Sequence, residues 1–101
     1  MALEKLTSHE IAFALAALRG WAIAREGAAI AKSFHFADFS EAFAFVTQIA
    51  LAAEAMTHHP EWTNVYGRVD IVLTTHDSGG VTQLDLQLAG RIETIIALRK
   101  S

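Results

Sequence analysis

Among the side chains of this 101-residue chain suited to proton or metal chemistry, five in its second half stand out as a constellation: Glu54, His58, His59, His76 and Asp85. Imidazole ordinarily titrates near pH 6.5, so a positioned histidine gives or takes a proton close to neutrality. Three histidines and two carboxylates would also serve as ligands to zinc or iron. The spacing speaks against a metal. His58 and His59 are adjacent, and adjacent side chains diverge by about 100° on a helix and oppose each other on a strand. The paired His-x-x-x-His and Glu-x-x-His spacings of metal proteins are absent, so no metal is expected. Plain structural roles stay open for the same residues. Asp85 fits as the capping partner of Thr82, Glu54 as a solvated rim residue and Pro60 as a helix stop. The other two histidines, His9 and His35, are assigned structural roles.

Four of the five residues lie where one element gives way to the next, and such boundaries often hold functional groups on a rigid frame. A first helix opens at Thr7-Ser8-His9-Glu10, a capping box with Leu6 and Ile11 as its staple, and Gly20 supplies its stop. Trp21 to Arg25 and Ala29 to Phe36 read as two strands around Glu26-Gly27. Ile30, Phe34 and Phe36 share one face of the second strand, and Lys32, which interrupts that row, is expected near an edge or a functional face. A second helix is capped by Asp38 with Glu41. Its apolar stripe is Phe39, Ala42, Phe43, Val46, Ile49, Ala50 and Ala53, with Glu54 at the rim. It ends near Thr57, because Pro60 disfavours helical geometry at His59. A hairpin follows, with arms Thr63 to Tyr66 and Val69 to Thr75 around Gly67, then a loop from His76 to Gly80. A third helix starts at Thr82, with Val81 and Leu86 as staple, Leu88, Ile92, Ile95 and Ile96 as core, and Arg99 and Lys100 complementing the dipole at its end. The order α-β-β-α-β-β-α predicts an α+β two-layer sandwich, a four-stranded antiparallel sheet with helices packed on one face. The strand order is left open.

Composition bounds what such a domain does. The length fits one domain spanning 1–101. Hydrophobic residues make up 52% of the chain, which excludes disorder, although nineteen of them are alanine. Cysteine is absent, which excludes disulfide frameworks, thiolate metal sites and cysteine nucleophiles. A net charge of −3 argues against a nucleic-acid groove binder. No uninterrupted apolar run approaches the roughly 18 residues of a membrane span, and no secretory signal is visible at the N-terminus. A cytoplasmic protein without membrane or direct nucleic-acid partners is expected.

The segment Glu54-Ala-Met-Thr-His58-His59-Pro60-Glu61-Trp62-Thr-Asn64-Val65-Tyr66, followed by nine residues to His76 and eight more to Asp85, resembles the signature of the pterin-4a-carbinolamine dehydratases. Gly20-Trp21, the Phe34-His35-Phe36 strand end with Asp38-Phe39 behind it, and the phenylalanine-rich second helix are similar to that family too. The resemblance covers roughly Leu6 to Ile95. It implies dehydration of 4a-hydroxytetrahydropterin to quinonoid dihydropterin and water, which recycles the pterin cofactor of aromatic amino acid hydroxylases without a metal or organic cofactor.

Carried over by position, the resemblance makes His58, His59 and His76 the catalytic set. His58 and His76 would form the acid/base pair and His59 would orient the pterin. Glu54 and Asp85 would orient imidazoles or bind the pterin's amide edge, and Trp62 would wall the pocket. A homodimer or homotetramer is expected. Two other roles come with the resemblance: a dimerisation cofactor for a homeodomain transcription factor, and action on a different pterin, as in molybdopterin metabolism. Two positions depart from the family pattern. Thr57 stands where an acidic residue is common and Leu84 where an arginine is common, and both changes remove charge near the site.

Overall fold

The computed structural model describes residues 3–100; the readings placed on Met1, Ala2 and the Lys100 side chain lie outside this description. The chain runs α1 (Ser8–Leu15), β1 (Ala22–Ala24), β2 (Ala29–His35), α2 (Phe39–Met56), β3 (Glu61–Val65), β4 (Arg68–Leu73) and α3 (Gln83–Lys100), with 3-10 turns at Arg25–Gly27 and His76–Ser78. The four strands form one antiparallel sheet in the order β1-β2-β4-β3. Two hairpins are thus set side by side through their second strands, and the helices cover one face. This is the expected two-layer α+β sandwich.

Local chemistry explains the helix starts. Thr7 Oγ1 accepts from the Glu10 N–H at 3.1 Å and Glu10 Oε1 accepts from the Thr7 N–H at 2.8 Å, so the capping box is complete. At α2, Asp38 Oδ1 accepts from the Glu41 N–H at 2.9 Å, one arm of the expected box. The helix α1 ends at Leu15, and turns carry the chain on to Gly20, whose φ of +86° suits glycine.

The core lies between the sheet and the pair α2–α3. Ile30, Phe34, Val69, Ile71 and Leu73 face it from the sheet, and Leu88, Ala89, Ile92 and Ile96 from α3. Two readings need correction. The buried residues of α2 are Ala42, Phe45, Val46, Ile49, Ala52 and Ala53. Phe39 and Phe43, assigned to the stripe, are half-exposed and stack on each other with ring centroids 5.6 Å apart. Phe45 takes the inner position and meets Phe34 and Phe36 at centroid distances of 4.9 and 5.0 Å. Apolar side chains occur all round this helix, so periodicity alone does not select the face. Replacing the fully buried Phe45 by alanine would cost about 3–5 kcal/mol.

The second correction concerns Lys32. It lies on β2, a central strand and not an edge. Its stem runs past the Phe34 ring, 4.9 Å from Nζ to the centroid, and Nζ donates to Glu93 Oε2 and to the Arg19 carbonyl, both at 2.8 Å. A long amphipathic side chain thus fills a place in the apolar row while its charge is paired at the boundary.

With 18 residues, α2 is long and apolar enough by composition to cross a membrane. One of its faces is instead the domain's own core.

Candidate active site

The link from α2 to β3 and the link from β4 to α3 run side by side. Residues 57–61 and 74–77 line a cleft of about 380 Å³ between them. The first wall begins where α2 stops. Thr57 takes a left-handed conformation, φ 53° and ψ 39°, and the His58 N–H returns to the Ala53 carbonyl at 3.1 Å. That reversal is a helix C-cap, and Pro60, unable to continue a helix, follows it. Together they deliver His58 and His59 to the cleft.

His58 is the inner histidine, its side chain 9% exposed. Its Nε2 lies 2.6 Å from Oδ1 of the fully buried Asp85. Asp85 Oδ2 accepts from Thr75 Oγ1 at 2.8 Å and from the Thr82 N–H at 2.9 Å, and the two threonine hydroxyls are 2.7 Å apart. Asp85 therefore does both things foreseen for it: it caps the start of α3 and it holds a histidine. His59 is the outer neighbour. Its Nε2 lies 2.8 Å from Glu54 Oε1, and the two side chains are 62% and 80% exposed.

The third histidine completes the pattern. His76 Nε2 lies 3.1 Å from Glu61 Oε2. The Arg25 guanidinium grips the same carboxylate through Nη1 to Oε2 at 3.1 Å and Nη2 to Oε1 at 2.6 Å. Hydrogen bonding from Arg25, helped by His76, lowers the Glu61 carboxyl to about 2. An ionised carboxylate only accepts hydrogen bonds. His76 beside the ionised Glu61 thus presents Nε2–H as donor, and in a neutral ring Nδ1 is then the acceptor.

Of the expected constellation, His58, His59 and His76 line the cleft, whereas Asp85 and Glu54 are not among its lining residues and meet it as the hydrogen-bond partners of His58 and His59. Trp62 is not among the residues lining the cleft. It pairs in register with Ile71 on the core-facing side of the edge strand β3, because side chains alternate along a strand and its neighbour Glu61 takes the other face. Sequence reasoning passed over Thr75, Glu61 and Arg25. Glu61 sits inside the quoted motif, where its place beside Pro60 was the available signal. Arg25 lies 36 residues away from it, beyond any local pattern. Among the described residues no three histidine, aspartate or glutamate side chains converge as a metal site requires.

Comparison with known proteins gives a consistent answer. Residues 4–95 match the model of the family described as pterin 4 alpha carbinolamine dehydratase. A protein of Mesorhizobium japonicum named for that dehydratase is 56% identical over 92 residues, covering 91% of this chain and 94% of its own. One of Paraburkholderia xenovorans with the same name is 52% identical over 95 residues, covering 94% of this chain and 99% of its own. A crystal structure described as a transcriptional coactivator/pterin dehydratase from Brucella melitensis superposes with a TM-score of 0.88 at 49% identity, covering 91% of this chain and 98% of its own. A pterin dehydratase-like protein described as a RuBisCO assembly factor shares the fold, with a TM-score of 0.66 at 19% identity over 76% of this chain and 89% of its own. With its motif, its fold and nearly its whole length accounted for, the chain belongs to the pterin 4 alpha carbinolamine dehydratase family.

Proposed function

We propose that this protein dehydrates a 4a-hydroxytetrahydropterin to the quinonoid dihydropterin and water, so returning the pterin cofactor of aromatic amino acid hydroxylases to its cycle. The observation that carries the reading is the set of three histidines on one cleft, each with Nε2 on a different carboxylate: His58 on Asp85, His59 on Glu54 and His76 on Glu61.

The reaction breaks the C4a–O bond. The departing oxygen takes a proton from an imidazolium, N5 gives its proton to a neutral imidazole, and the C4a=N5 double bond forms as water leaves. Two histidines in opposite protonation states balance the protons, and each positioned acid or base is worth typically 10²–10⁴-fold. His58 and His76, which both line the cleft, are the pair assigned here, with His59 orienting the pterin. No metal or organic cofactor enters the scheme.

Loss of synthetic 4a-hydroxytetrahydropterin, followed by ultraviolet absorbance, tests the proposal. The folded protein is expected to accelerate it over buffer, and the His58→Ala and His76→Ala variants to lose most of that acceleration. A wild-type rate equal to buffer would sink the assignment of the reaction. Unchanged rates in both variants would remove the two histidines from it.

A further inference from the structure

Arg25 and Glu26 are two successive non-glycine residues in the left-handed region, with φ of 51° and 55°, followed by Gly27 at 97°. That conformation is unfavourable for L side chains and persists where surrounding contacts hold it. Two contacts hold this turn. Thr74 Oγ1 donates to the Ala28 carbonyl at 2.6 Å, which ties the turn to the end of β4 just ahead of His76. Arg25 closes both forks of its guanidinium on Glu61. The second contact joins the turn after β1, one edge of the sheet, to the first residue of β3, the other edge.

The target of this reach is informative. Glu61 Oε2 is the atom shared by Arg25 Nη1 and His76 Nε2. The His76 side chain is 76% exposed, so packing alone leaves its ring free to turn. The charged and titratable groups near the pair are Arg25 from the β1–β2 turn and, around the cleft, His58, His59, His76 and Asp77. Of these, Arg25 is the one that contacts both carboxylate oxygens of Glu61. Bidentate arginine–carboxylate pairs fix orientation as well as charge.

We propose that Arg25 and Glu61 are positioning residues for His76: Arg25 orients the Glu61 carboxylate, and Glu61 accepts from His76 Nε2–H, leaving Nδ1 as the ring atom that handles the substrate proton. This inference rests on the assignment of His76 to the acid/base pair. A hydrogen-bonded carboxylate that selects one tautomer and one ring orientation is a recurring support for functional histidines.

Glu61→Gln is the decisive substitution. The side chain keeps its shape, but a carboxamide offers both a donor and an acceptor, so it no longer dictates which His76 nitrogen carries the proton. Long-range ¹H–¹⁵N spectra of the neutral ring should show the Nε2–H form of His76 in the wild type and a mixture of tautomers in Glu61→Gln, with Arg25→Ala between them. In the dehydration assay kcat should fall roughly ten-fold in Glu61→Gln with KM little changed. In a His76→Ala background the same substitution should have no further effect, since the two act through one ring. An unchanged tautomer in Glu61→Gln, or a loss of rate that persists in the His76→Ala background, would overturn the proposal. If no protein in the series accelerates dehydration, the functional reading fails, and the tautomer spectra alone then decide whether Arg25 and Glu61 position the ring.

Discussion

The His58 ring shares its Nε2 with a fully buried carboxylate, whereas the His59 ring meets Glu54 in open solvent. The two pairs look alike in distance, 2.6 and 2.8 Å, but burial separates their energetics. Removing Asp85 leaves the His58 Nε2, the Thr75 hydroxyl and the Thr82 N–H without their shared acceptor, with Thr82 fully buried and His58 nearly so. Asp85→Ala is therefore expected to destabilise the fold on the order of 2–4 kcal/mol. An exposed pair is screened and must hold two mobile side chains, so Glu54→Gln should change stability by less than about 0.5 kcal/mol. Urea denaturation of the two variants checks both values. Equal losses would mean that Asp85 gains nothing from its burial. The contrast also separates the roles: Asp85 serves fold and site together, while any loss of rate in Glu54→Gln would belong to the site alone.

At the scale of elements, the end of α2 decides where the histidines stand, and Thr57 is its weak point. A β-branched residue in the left-handed region is unfavourable, and asparagine tolerates that conformation far better. Thr57→Asn should therefore raise Tm by a few degrees, about what 1 kcal/mol gives a domain of this size, without moving the C-cap. A Tm unchanged or lowered in a scanning calorimeter would show that the Thr57 side chain makes up for its own strain. The same segment shows what the sequence made legible. The stop at Pro60, the Thr7–Glu10 box and the alternation of Val69, Ile71 and Leu73 are local features, and each formed as read. The inner face of α2 was not legible, because Phe39 and Phe43 are as apolar as Phe45 and only the sheet beneath chooses among them. Strand order was not legible either, which is why Lys32 looked like an edge residue. Within the site, the histidines and their partners Glu54 and Asp85 could be found because motif and spacing mark them. Arg25 could not, since its contact exists only after two hairpins have docked.

The whole molecule carries more apolar surface than its core uses. Phe39, Phe43 and Leu51 on α2 are 50%, 54% and 69% exposed. The expected homodimer or homotetramer would cover such surface, and sedimentation should then give a mass above 11.0 kDa that falls in Phe43→Glu; a monomer at every concentration would refute it. Acid stability is a second property of the whole fold. The Glu61 carboxyl, lowered to about 2 chiefly by its hydrogen bond from Arg25, and the Asp70 carboxyl, lowered chiefly by Ser33 and then by Arg68, both bind protons less readily folded than unfolded. A depressed folded value means that the stability these groups contribute is fully present above their unfolded range near 4.3, and is lost as pH falls towards the folded values. Unfolding free energy should accordingly decline between about pH 4.5 and pH 2. Because Glu61 and Arg25 are both substantially exposed, the Glu61 share is small and screened by salt. Arg25→Ala returns Glu61 towards the ordinary carboxylate range, so its stability should fall less steeply across that window than the wild type's. The difference should shrink in about 1 M salt, where the screening length is roughly 3 Å. Denaturant midpoints measured from pH 5 to pH 2.5 in low and high salt would show it. Parallel curves for the two proteins would mean that Arg25 does not hold Glu61 ionised, and the link from the β1–β2 turn to His76 would lose its electrostatic basis.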